Sequence, residues 1–465
     1  DTLRPSRSRC GRALEGLHDP RIVRRGTEPS ATAESGMNLQ NLIDEDRSRG
    51  VFRGHRSVFS SAEIAALEQA NIFQRCWLYI GHDSEIPNAG DFRRRTVAGQ
   101  PLFWVRGGDG RARVFYNSCT HWGANVCRLD EGNAELFQCF YHSWTFNNHG
   151  DLVSVPDEAG YGTGFRKEAM GLVSPPRVDN YRGLYFVSFH PGIEDLVAYF
   201  GDAKDYIDLI LDQAEEGWRV VPGTQKYSVR ANWKMFSLNS LDSYHVRPLH
   251  STFFKYTESL GAGDPPVSPP TEFPGPQGRA LSLRNGHGVD IFPSLHRARP
   301  IAHWHPILGE ESKEEIRNRR ARLAEKFGAD RAYLMCDTNR LLLIYPNFAL
   351  HDIAGVSLRY FEPAAPDYME VTVQTLAPLG ESAALLNRRL ENFLSFLGPG
   401  GFAHPDDIEA MESAQLGFRA NGPEWIDASR GMQREATALD EIHVRAFWRQ
   451  WHANVMGAKA ERHHD

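Results

Sequence analysis

The sequence predicts an α+β protein in which an antiparallel β domain precedes a second domain of helices packed on an antiparallel sheet. Between residues 77 and 190, short β-type runs such as PLFWVR and ARVFYN alternate with turn sequences such as GGDG and NNHGD, a pattern typical of antiparallel hairpins. After residue 190, helical patterns alternate with strands such as LLLIYPNFAL and YMEVTVQTLAP. This order of elements is typical of helices that cover an antiparallel sheet.

The chain of 465 residues is long enough for two or three compact units. We expect residues 1–54 to form a largely disordered N-terminal extension, because the arginine-rich start has little apolar periodicity. The first folded domain should span residues 55–190 and the second residues 191–456. Residues 457–465 should form a C-terminal tail.

Charge and hydropathy argue against polyanions and membranes as partners. The net charge of -7 provides no positive field that would attract nucleic acid, and no apolar run approaches the roughly 18 residues of a membrane helix. Three of the six cysteines fall in one short stretch with histidines, which fits metal binding in a reducing compartment better than disulfides. We therefore expect a cytoplasmic protein that binds neither nucleic acid nor a membrane.

That stretch, CTHWGANVCRLDEGNAELFQCFYH, carries two similar pairs of metal donors. Cys119-x-His121 is followed after 17 residues by Cys139-x-x-His142, so two turn-rich loops each offer one thiolate and one imidazole. Four such donors could hold a zinc ion tetrahedrally. They could instead hold a [2Fe-2S] cluster in which two histidines replace two cysteines on one iron.

The residues around the donors favour the iron–sulfur cluster over zinc. Zinc fingers seldom surround their ligands with large aromatic side chains, whereas a redox cluster needs an apolar shell that limits solvent access. The aromatic residues in question are Trp122, Phe140, Tyr141, Trp144 and Phe146. The third cysteine, Cys127, is expected to pack as a small buried apolar residue.

A second pair of histidines lies in the stretch NWKMFSLNSLDSYHVRPLH. Asn232 is a good helix cap and residues 233–244 contain no helix breaker, so we expect a helix there. His245 and His250 would point about 140° apart on an ideal helix and could not share a metal. We expect Pro248 to break or kink the helix between them and so to let His250 turn back towards His245.

Carboxylates near these histidines complete a candidate iron site. Asp242 lies three residues before His245, where it could accept a hydrogen bond from the imidazole ring. Further along, Pro405 suits the first position of a helix, which places Asp406 and Asp407 in its first turn. Iron that activates oxygen typically uses two histidines and one carboxylate. The helix dipole alone could also explain both aspartates, and only one of the two should face a metal.

Together these segments resemble the large (α) subunits of Rieske non-haem iron aromatic-ring-hydroxylating dioxygenases, most of all the benzoate, anthranilate and p-cumate type. The segments are CTH, CFYH, NWK, NSLDSYHVRPLH and GPGGF...PDD, and the resemblance extends over roughly residues 55–455. The sequence departs from the family at Trp122 and Ser143, where arginine and glycine are common. The implied fold is a Rieske β domain followed by a helix-grip-like catalytic domain.

The resemblance also implies cofactors, ligands and partners. The implied ligands of the [2Fe-2S] cluster are Cys119, His121, Cys139 and His142, and those of a mononuclear Fe(II) are His245, His250 and Asp407. The counterpart of Asp242 connects a Rieske-site histidine of one chain to an iron ligand of the next, which implies an α3 or α3β3 oligomer with a small β subunit. Electrons come from NADH through a separate reductase, sometimes by way of a ferredoxin, and O2 is the oxidant.

The substrate is harder to predict, and we expect an aromatic carboxylic acid. Its carboxylate needs a cationic partner in a mostly apolar pocket, for which Arg340 is a candidate. Candidate pocket walls are Leu238, Leu241, Phe236 and Phe348. A monooxygenase or O-demethylase is the alternative within the family. A Rieske electron-transfer protein without the second metal and a zinc-binding interaction protein are the alternatives outside it.

Overall fold

The computed structural model describes residues 38–265, 278–294 and 298–457. The strands of its N-terminal half are β1 (Ile43–Asp46), β2 (Val51–His55), β3 (Leu78–His82), β4 (Asp91–Val97), β5 (Gln100–Arg106), β6 (Ala112–Tyr116), β7 (Glu131–Asn133), β8 (Leu136–Gln138), β9 (Thr145–Asn147), β10 (Leu152–Ser154), β11 (Arg177–Tyr181) and β12 (Leu184–Ser188). Those of its C-terminal half are β13 (Trp218–Val220), β14 (Gln225–Val229), β15 (Arg279–Ser282), β16 (Gly288–Pro293), β17 (Thr338–Ile344), β18 (Phe348–Asp352), β19 (Val356–Ala365), β20 (Tyr368–Pro378) and β21 (Trp425–Asp427).

Of the described α-helices, the first lies in the first domain and the others lie in the second. They are α1 (Ala62–Glu68), α2 (Leu196–Phe200), α3 (Ala203–Leu211), α4 (Trp233–Leu241), α5 (Val246–Leu249), α6 (Ser251–Ser259), α7 (Lys313–Phe327), α8 (Ala329–Cys336), α9 (Ala383–Leu397), α10 (His404–Gly417) and α11 (Ile442–Val455). Among the described residues, none of these helices combines the length and apolar character that crossing a bilayer requires.

The first domain consists of three small antiparallel sheets. Their strand orders are β6-β5-β4-β7, β10-β9-β8 and β11-β12-β3. Phenylalanines from these strands, such as Phe103 and Phe137, pack into one buried cluster with Cys119, Cys127 and Cys139. The loops that carry the predicted cluster ligands are therefore anchored in the core of this domain, and Cys127 is buried there as expected.

The second domain is built on one large antiparallel sheet with the order β13-β20-β19-β18-β17-β16-β15, and β14 also pairs with β20. The helix that follows Asn232, α4, lies against β16, β17 and β19. Helix α11 lies against β15 and β16. The predicted α+β fold is confirmed.

The N-terminal extension is only partly as predicted. Residues 43–55 form the hairpin β1–β2, and β2 pairs with β21 near the other end of the chain. Arg449 of α11 contacts Glu45 of β1 in an ion pair of 2.8 Å. The expected disorder is therefore wrong for residues 39–54, because a distant strand completes their sheet. Residues 1–37 and the predicted tail over 458–465 lie outside the described residues.

The two domains are joined by polar and aromatic contacts. The Gln374 side chain of β20 donates a hydrogen bond of 2.9 Å to Glu85, and the amide of Val220 donates one of 2.8 Å to Ser84. The ring of Tyr79 on β3 stacks on that of Phe348 on β18, with ring centroids 4.3 Å apart. These contacts belong to one compact unit that begins at residue 39.

Candidate metal centres

The two loops of the first domain have the same backbone geometry. In the first loop, the amide of Cys119 donates to the carbonyl of Ala124 and the amide of Gly123 donates to the carbonyl of Cys119, both at 2.8 Å. The second loop repeats this pattern around Cys139 with distances of 2.8 and 2.9 Å. The loops turn through left-handed residues, Gly123 with φ 79° and Ser143 with φ 58°. Glycine adopts this conformation readily and serine does not, which explains why glycine is common at the place of Ser143.

These loops present two thiols and two imidazoles. Cys119 and Cys139 are free and buried, and burial raises the pKa of the Cys119 thiol. The rings of His121 and His142 meet edge to face with centroids 4.5 Å apart, and Nδ1 of His121 is a buried polar atom without a partner among the described residues. This set of donors fits a [2Fe-2S] cluster with mixed ligands.

The aromatic shell around the loops is one-sided. Trp144 is buried and stacks on His121, with ring centroids 4.8 Å apart, and Phe146 is buried below it. Trp122, Phe140 and Tyr141 are instead 67%, 62% and 54% exposed. The predicted apolar shell is therefore wrong for these three residues, because they lie on the loop surface next to His142.

The helix that leads to the second centre ends earlier than predicted. The Asn232 side chain caps α4 as expected, accepting a hydrogen bond from the amide of Lys234. However, α4 ends at Leu241, and Asp242 is extended with φ -89° and ψ 117°. Pro248 lies inside the one-turn helix α5, where it does not break the chain. The predicted helix is confirmed over residues 233–241 and wrong over 242–244. The predicted break at Pro248 is also wrong, because the first turn of a helix needs no proline amide.

The two histidines nevertheless meet one carboxylate. His245 and His250 flank α5, and their Nε2 atoms lie 3.4 and 3.3 Å from the same oxygen, Oδ1 of Asp407. The three donor atoms lie within 4.8 Å of one another. This set of two imidazoles and one carboxylate fits a ferrous ion that keeps open coordination positions.

Asp407 and its neighbour Asp406 are distinguished by the start of α10, which begins at His404 with Pro405 in its first turn. The Asp407 side chain is 6% exposed, whereas that of Asp406 is 42% exposed and lies 3.7 Å from Nδ1 of His250. Burial alone would raise the pKa of Asp407, but its contacts with the two imidazoles hold it well below its usual range. Asp407 is therefore the carboxylate that faces the two histidines.

Asp242 lies directly behind His245. Its Oδ2 atom is 2.9 Å from Nδ1 of His245, and its Oδ1 atom accepts a hydrogen bond from the amide of Tyr244. Burial would lower the pKa of His245, but Asp242 and Asp407 raise it to about 9. Asp242 thereby orients the ring so that Nε2 faces Asp407.

Asn239 is a polar neighbour of the triad that the sequence analysis missed. Its amide Nδ2 donates a hydrogen bond of 3.2 Å to Oδ1 of Asp407 and lies 3.5 Å from Nε2 of His245. Its place in the motif NSLDSYHVRPLH, one turn before the bend at Asp242, is the signal that could have identified it. Asn239 holds the carboxylate in place from the side of α4.

An apolar cavity lies next to His250. It is partly open to solvent, and Phe396 of its wall faces the His250 ring with centroids 5.9 Å apart. The walls come from α6, α9 and the turn between β18 and β19 and include Phe253, Phe254, Thr257, Ile353, Asn392 and Phe396. These residues were not among the predicted pocket walls, because they are far apart in the sequence and come together only in the folded protein.

The predicted pocket walls lie elsewhere. Leu241 is buried close to Gly288 in the core, and Phe348 stacks between the domains against Tyr79. Phe236 is buried 5.5 Å from the Phe361 ring. Leu238 is half-buried. None of these four is in the wall of the cavity next to His250.

Arg340 forms an ion pair within the protein and is not free to bind a substrate. The side chain is fully buried and contacts Asp352, which lies directly opposite on the neighbouring strand. Asp352 also contacts Arg299 at 2.9 Å. Because its guanidinium is fully buried and already paired with Asp352, we do not retain Arg340 as the partner of a substrate carboxylate.

Comparison with known proteins agrees with both centres. Residues 76–174 match the Rieske [2Fe-2S] domain, and residues 216–457 match the catalytic domain of the ring hydroxylating alpha subunit. The chain is 32% identical to the toluate 1,2-dioxygenase subunit alpha of Pseudomonas putida, covering 87% of each chain. It is 30% identical to the 2-halobenzoate 1,2-dioxygenase large subunit of Burkholderia cepacia, covering 90% of this chain and 87% of the relative.

Solved structures show the same architecture. A naphthalene 1,2-dioxygenase from Rhodococcus sp. with bound indole superposes with a TM-score of 0.74 at 25% identity, covering 87% of this chain and 94% of that one. Members of the family are oxygenase components that work with a reductase and partner subunits and take their electrons from NADH. The chain belongs to this family and is the α subunit of a Rieske aromatic-ring-hydroxylating dioxygenase.

Proposed function

We propose that this subunit dihydroxylates the ring of an aromatic carboxylic acid. The observation that carries the proposal is the convergence of His245, His250 and Asp407 beside an apolar cavity. Toluate, 2-halobenzoate and anthranilate, the substrates in the names of three relatives, are all aromatic carboxylates. In this proposal the triad holds Fe(II), and the two loops of the first domain hold the [2Fe-2S] cluster.

Each group then has a separate task. The bound iron supplies oxygen activation, and the cluster supplies single electrons. The chain itself orients the reactants: Asp242 fixes the His245 ring and Asn239 fixes the Asp407 carboxylate. Apolar side chains beside His250, such as Phe396, pack against the aromatic ring and limit access of water. Two electrons and two protons join O2 and the ring to give a cis-dihydrodiol.

Assembly and location form the remaining part of the proposal. The cluster loops present exposed aromatic residues beside His142, and Asp242 is 32% exposed next to the 54% exposed Tyr244. Both centres therefore have a side that another chain could cover. We propose an α3 or α3β3 oligomer in the cytoplasm, in which the cluster of one chain serves the iron of the next, with a reductase and, in some systems, a ferredoxin as electron donors.

Two adjacent aspartates provide a matched test of the iron site. We expect Asp407→Ala to abolish hydroxylation and to remove the mononuclear iron while it leaves the visible spectrum of the cluster intact. We expect Asp406→Ala to keep both, because this side chain is 42% exposed and its carboxylate stays 3.7 Å from Nδ1 of His250, beyond hydrogen-bond distance. Full activity of Asp407→Ala would remove this residue from the site.

A substrate panel tests the reaction itself. The reconstituted wild-type protein is incubated with benzoate, toluates, anthranilate and the neutral arene toluene while O2 uptake and product mass are followed. We expect an aromatic acid to gain two oxygen atoms from O2. Gain of a single oxygen atom, or loss of a methyl group from an ether, would replace the dioxygenase by a monooxygenase or O-demethylase.

A further inference from the structure

Arg359 on β19 is a buried cation without an acidic partner. The residue is 3% exposed, and no carboxylate of the described residues lies within ion-pair distance of its guanidinium. One nitrogen, Nη1, lies 3.3 Å from Nδ1 of His351, and the group lies over the Phe236 ring at 4.8 Å from its centroid. The other two nitrogens, Nε and Nη2, are buried without a partner among the described residues.

Other buried arginines of this domain form ion pairs with a carboxylate. Arg299 and Arg340 both contact Asp352, and Arg319 and Arg389 both contact Glu381. A buried charge is unfavourable unless it is paired. The strand register explains why Arg359 has no such ion pair, because the residues opposite it are Ala349 and Val373. The fold provides this guanidinium with no counter-charge across the sheet.

Arg359 lies near an element that contacts the iron triad, because its guanidinium packs over Phe236 of α4 and Asn239 of the same helix donates to Asp407. The Tyr227 ring meets that of His404 with centroids 4.2 Å apart, and His404 begins the helix that carries Asp407. Burial is the main cause that lowers the pKa of His404 to about 4, and the charge of Arg359 acts in the same direction. Arg359 also lies close to the Tyr227 hydroxyl, which is buried and forms no hydrogen bond of regular geometry among the described residues.

The free atoms of Arg359 are suited to a carboxylate. Nε and Nη2 form one edge of the guanidinium, and two parallel hydrogen bonds from such an edge are the usual way in which arginine binds a carboxylate. The hydroxyl of Tyr227 adds a third donor. The same β18–β19 hairpin contributes Ile353 and Ala354 to the apolar cavity beside His250. Arg359 lies on the same hairpin, on strand β19 beyond that turn.

We propose that Arg359, assisted by Tyr227, binds the carboxylate of the aromatic substrate. This inference rests on the proposed function and names the residues that select an acid over a neutral arene. The pairing is non-covalent, so the carboxylate remains bound as an anion throughout turnover. It also places a negative charge where Fe(II), Asp407 and Arg359 together leave an excess of positive charge.

The test compares binding of an acid with binding of a neutral analogue. Benzoate and benzamide are titrated calorimetrically, without O2, into the wild-type holoenzyme and into Arg359→Gln. We expect the benzoate affinity to fall about 30-fold or more, since truncation of one partner of a buried charge pair has an effect of this size. The benzamide affinity should change less than about 3-fold. Arg219→Gln on β13 of the same sheet is the matched control and should leave both affinities unchanged.

A stability measurement separates substrate binding from a structural role. We expect Arg359→Met to unfold at the same temperature as the wild type or higher, because it removes an unpaired buried charge. Benzoate should raise the unfolding temperature of the wild type and not that of the variant. A variant that unfolds earlier and loses benzoate and benzamide affinity equally would overturn the inference.

Failure of the role of Arg359 can be distinguished from failure of the proposed function. If the wild type oxidises benzoate and Arg359→Gln binds benzoate as tightly as the wild type does, the proposed function stands and the role of Arg359 falls. If no arene in the panel is oxidised, the proposed function fails. The benzoate titration then still decides whether Arg359 binds a carboxylate.

Discussion

The buried ion pair between Glu68 and Lys234 should determine the stability of the helix that leads to the iron triad. Glu68 at the end of α1 is 2% exposed, and Lys234 in the first turn of α4 is fully buried. The same carboxylate accepts hydrogen bonds from the indole of Trp233 at 2.8 Å and from that of Trp451 at 2.7 Å. One acid thus connects α1, α4 and α11.

We expect Glu68→Gln to destabilise α4 by about 3 kcal/mol or more, because it leaves the Lys234 ammonium buried without a counter-charge. The amide also retains only one oxygen for three donors. Burial lowers the pKa of Lys234 and Glu68 opposes that shift, so loss of the acid favours the neutral amine and limits the penalty. The expected loss therefore lies near the lower end of the usual range for broken buried pairs.

Native-state hydrogen exchange measures this effect locally, which matters in a chain of two domains. Amides of residues 233–241 should exchange about 100-fold faster in Glu68→Gln than in the wild type, and the bound iron should decrease in parallel. The double variant Glu68→Gln with Lys234→Met should recover most of the protection, because the unpaired charge is gone. A loss below about 1 kcal/mol in the single variant, or no recovery in the double variant, would refute the reasoning.

Two further changes test the metal centres. Asp242→Asn should lower the affinity for Fe(II) about 10- to 100-fold, because it weakens the orientation of His245, and should leave the visible spectrum of the cluster unchanged. Competition with a chelator in the absence of O2 measures the Fe(II) affinity. An unchanged affinity would contradict the role of Asp242. Ser143→Gly should raise the free energy of unfolding by about 1 kcal/mol, since it relieves a left-handed serine at φ 58°; thermal unfolding of the holoprotein measures this, and a lower unfolding temperature would show that the serine side chain stabilises the loop.

Local patterns in the sequence were enough to predict the candidate metal ligands. The spacings of Cys119 with His121 and of Cys139 with His142 are set within single loops, and the place of Asp407 is set by Pro405 at the start of one helix. Such constraints act over a few residues, so they can be read without the fold. The bend at Asp242 escaped prediction because it depends on hydrogen bonds of that carboxylate with Tyr244 and His245, not on a helix breaker.

Contacts across the fold could not be read in this way. Glu68 and Lys234 are separated by 166 residues along the chain, and neither sequence neighbourhood indicates the other. The hairpin β1–β2 pairs with β21 across nearly the whole chain, so a segment with little local periodicity still becomes ordered. The cavity beside His250 is likewise assembled from α6, α9 and the β18–β19 turn.

Arg340 and Arg359 show how such long-range register decides function. Both are buried arginines on strands of the same sheet, and their sequence surroundings do not distinguish a structural charge from a binding one. Register places Asp352 opposite Arg340, where its carboxylate pairs with the guanidinium, whereas it places the apolar residues Ala349 and Val373 on either side of Arg359. A single-residue shift of either strand would move each side chain to the other face of the sheet. Strand pairing therefore decides which arginine remains free for an anion, and this is evident only from the pairing of β17, β18 and β19 in the sheet.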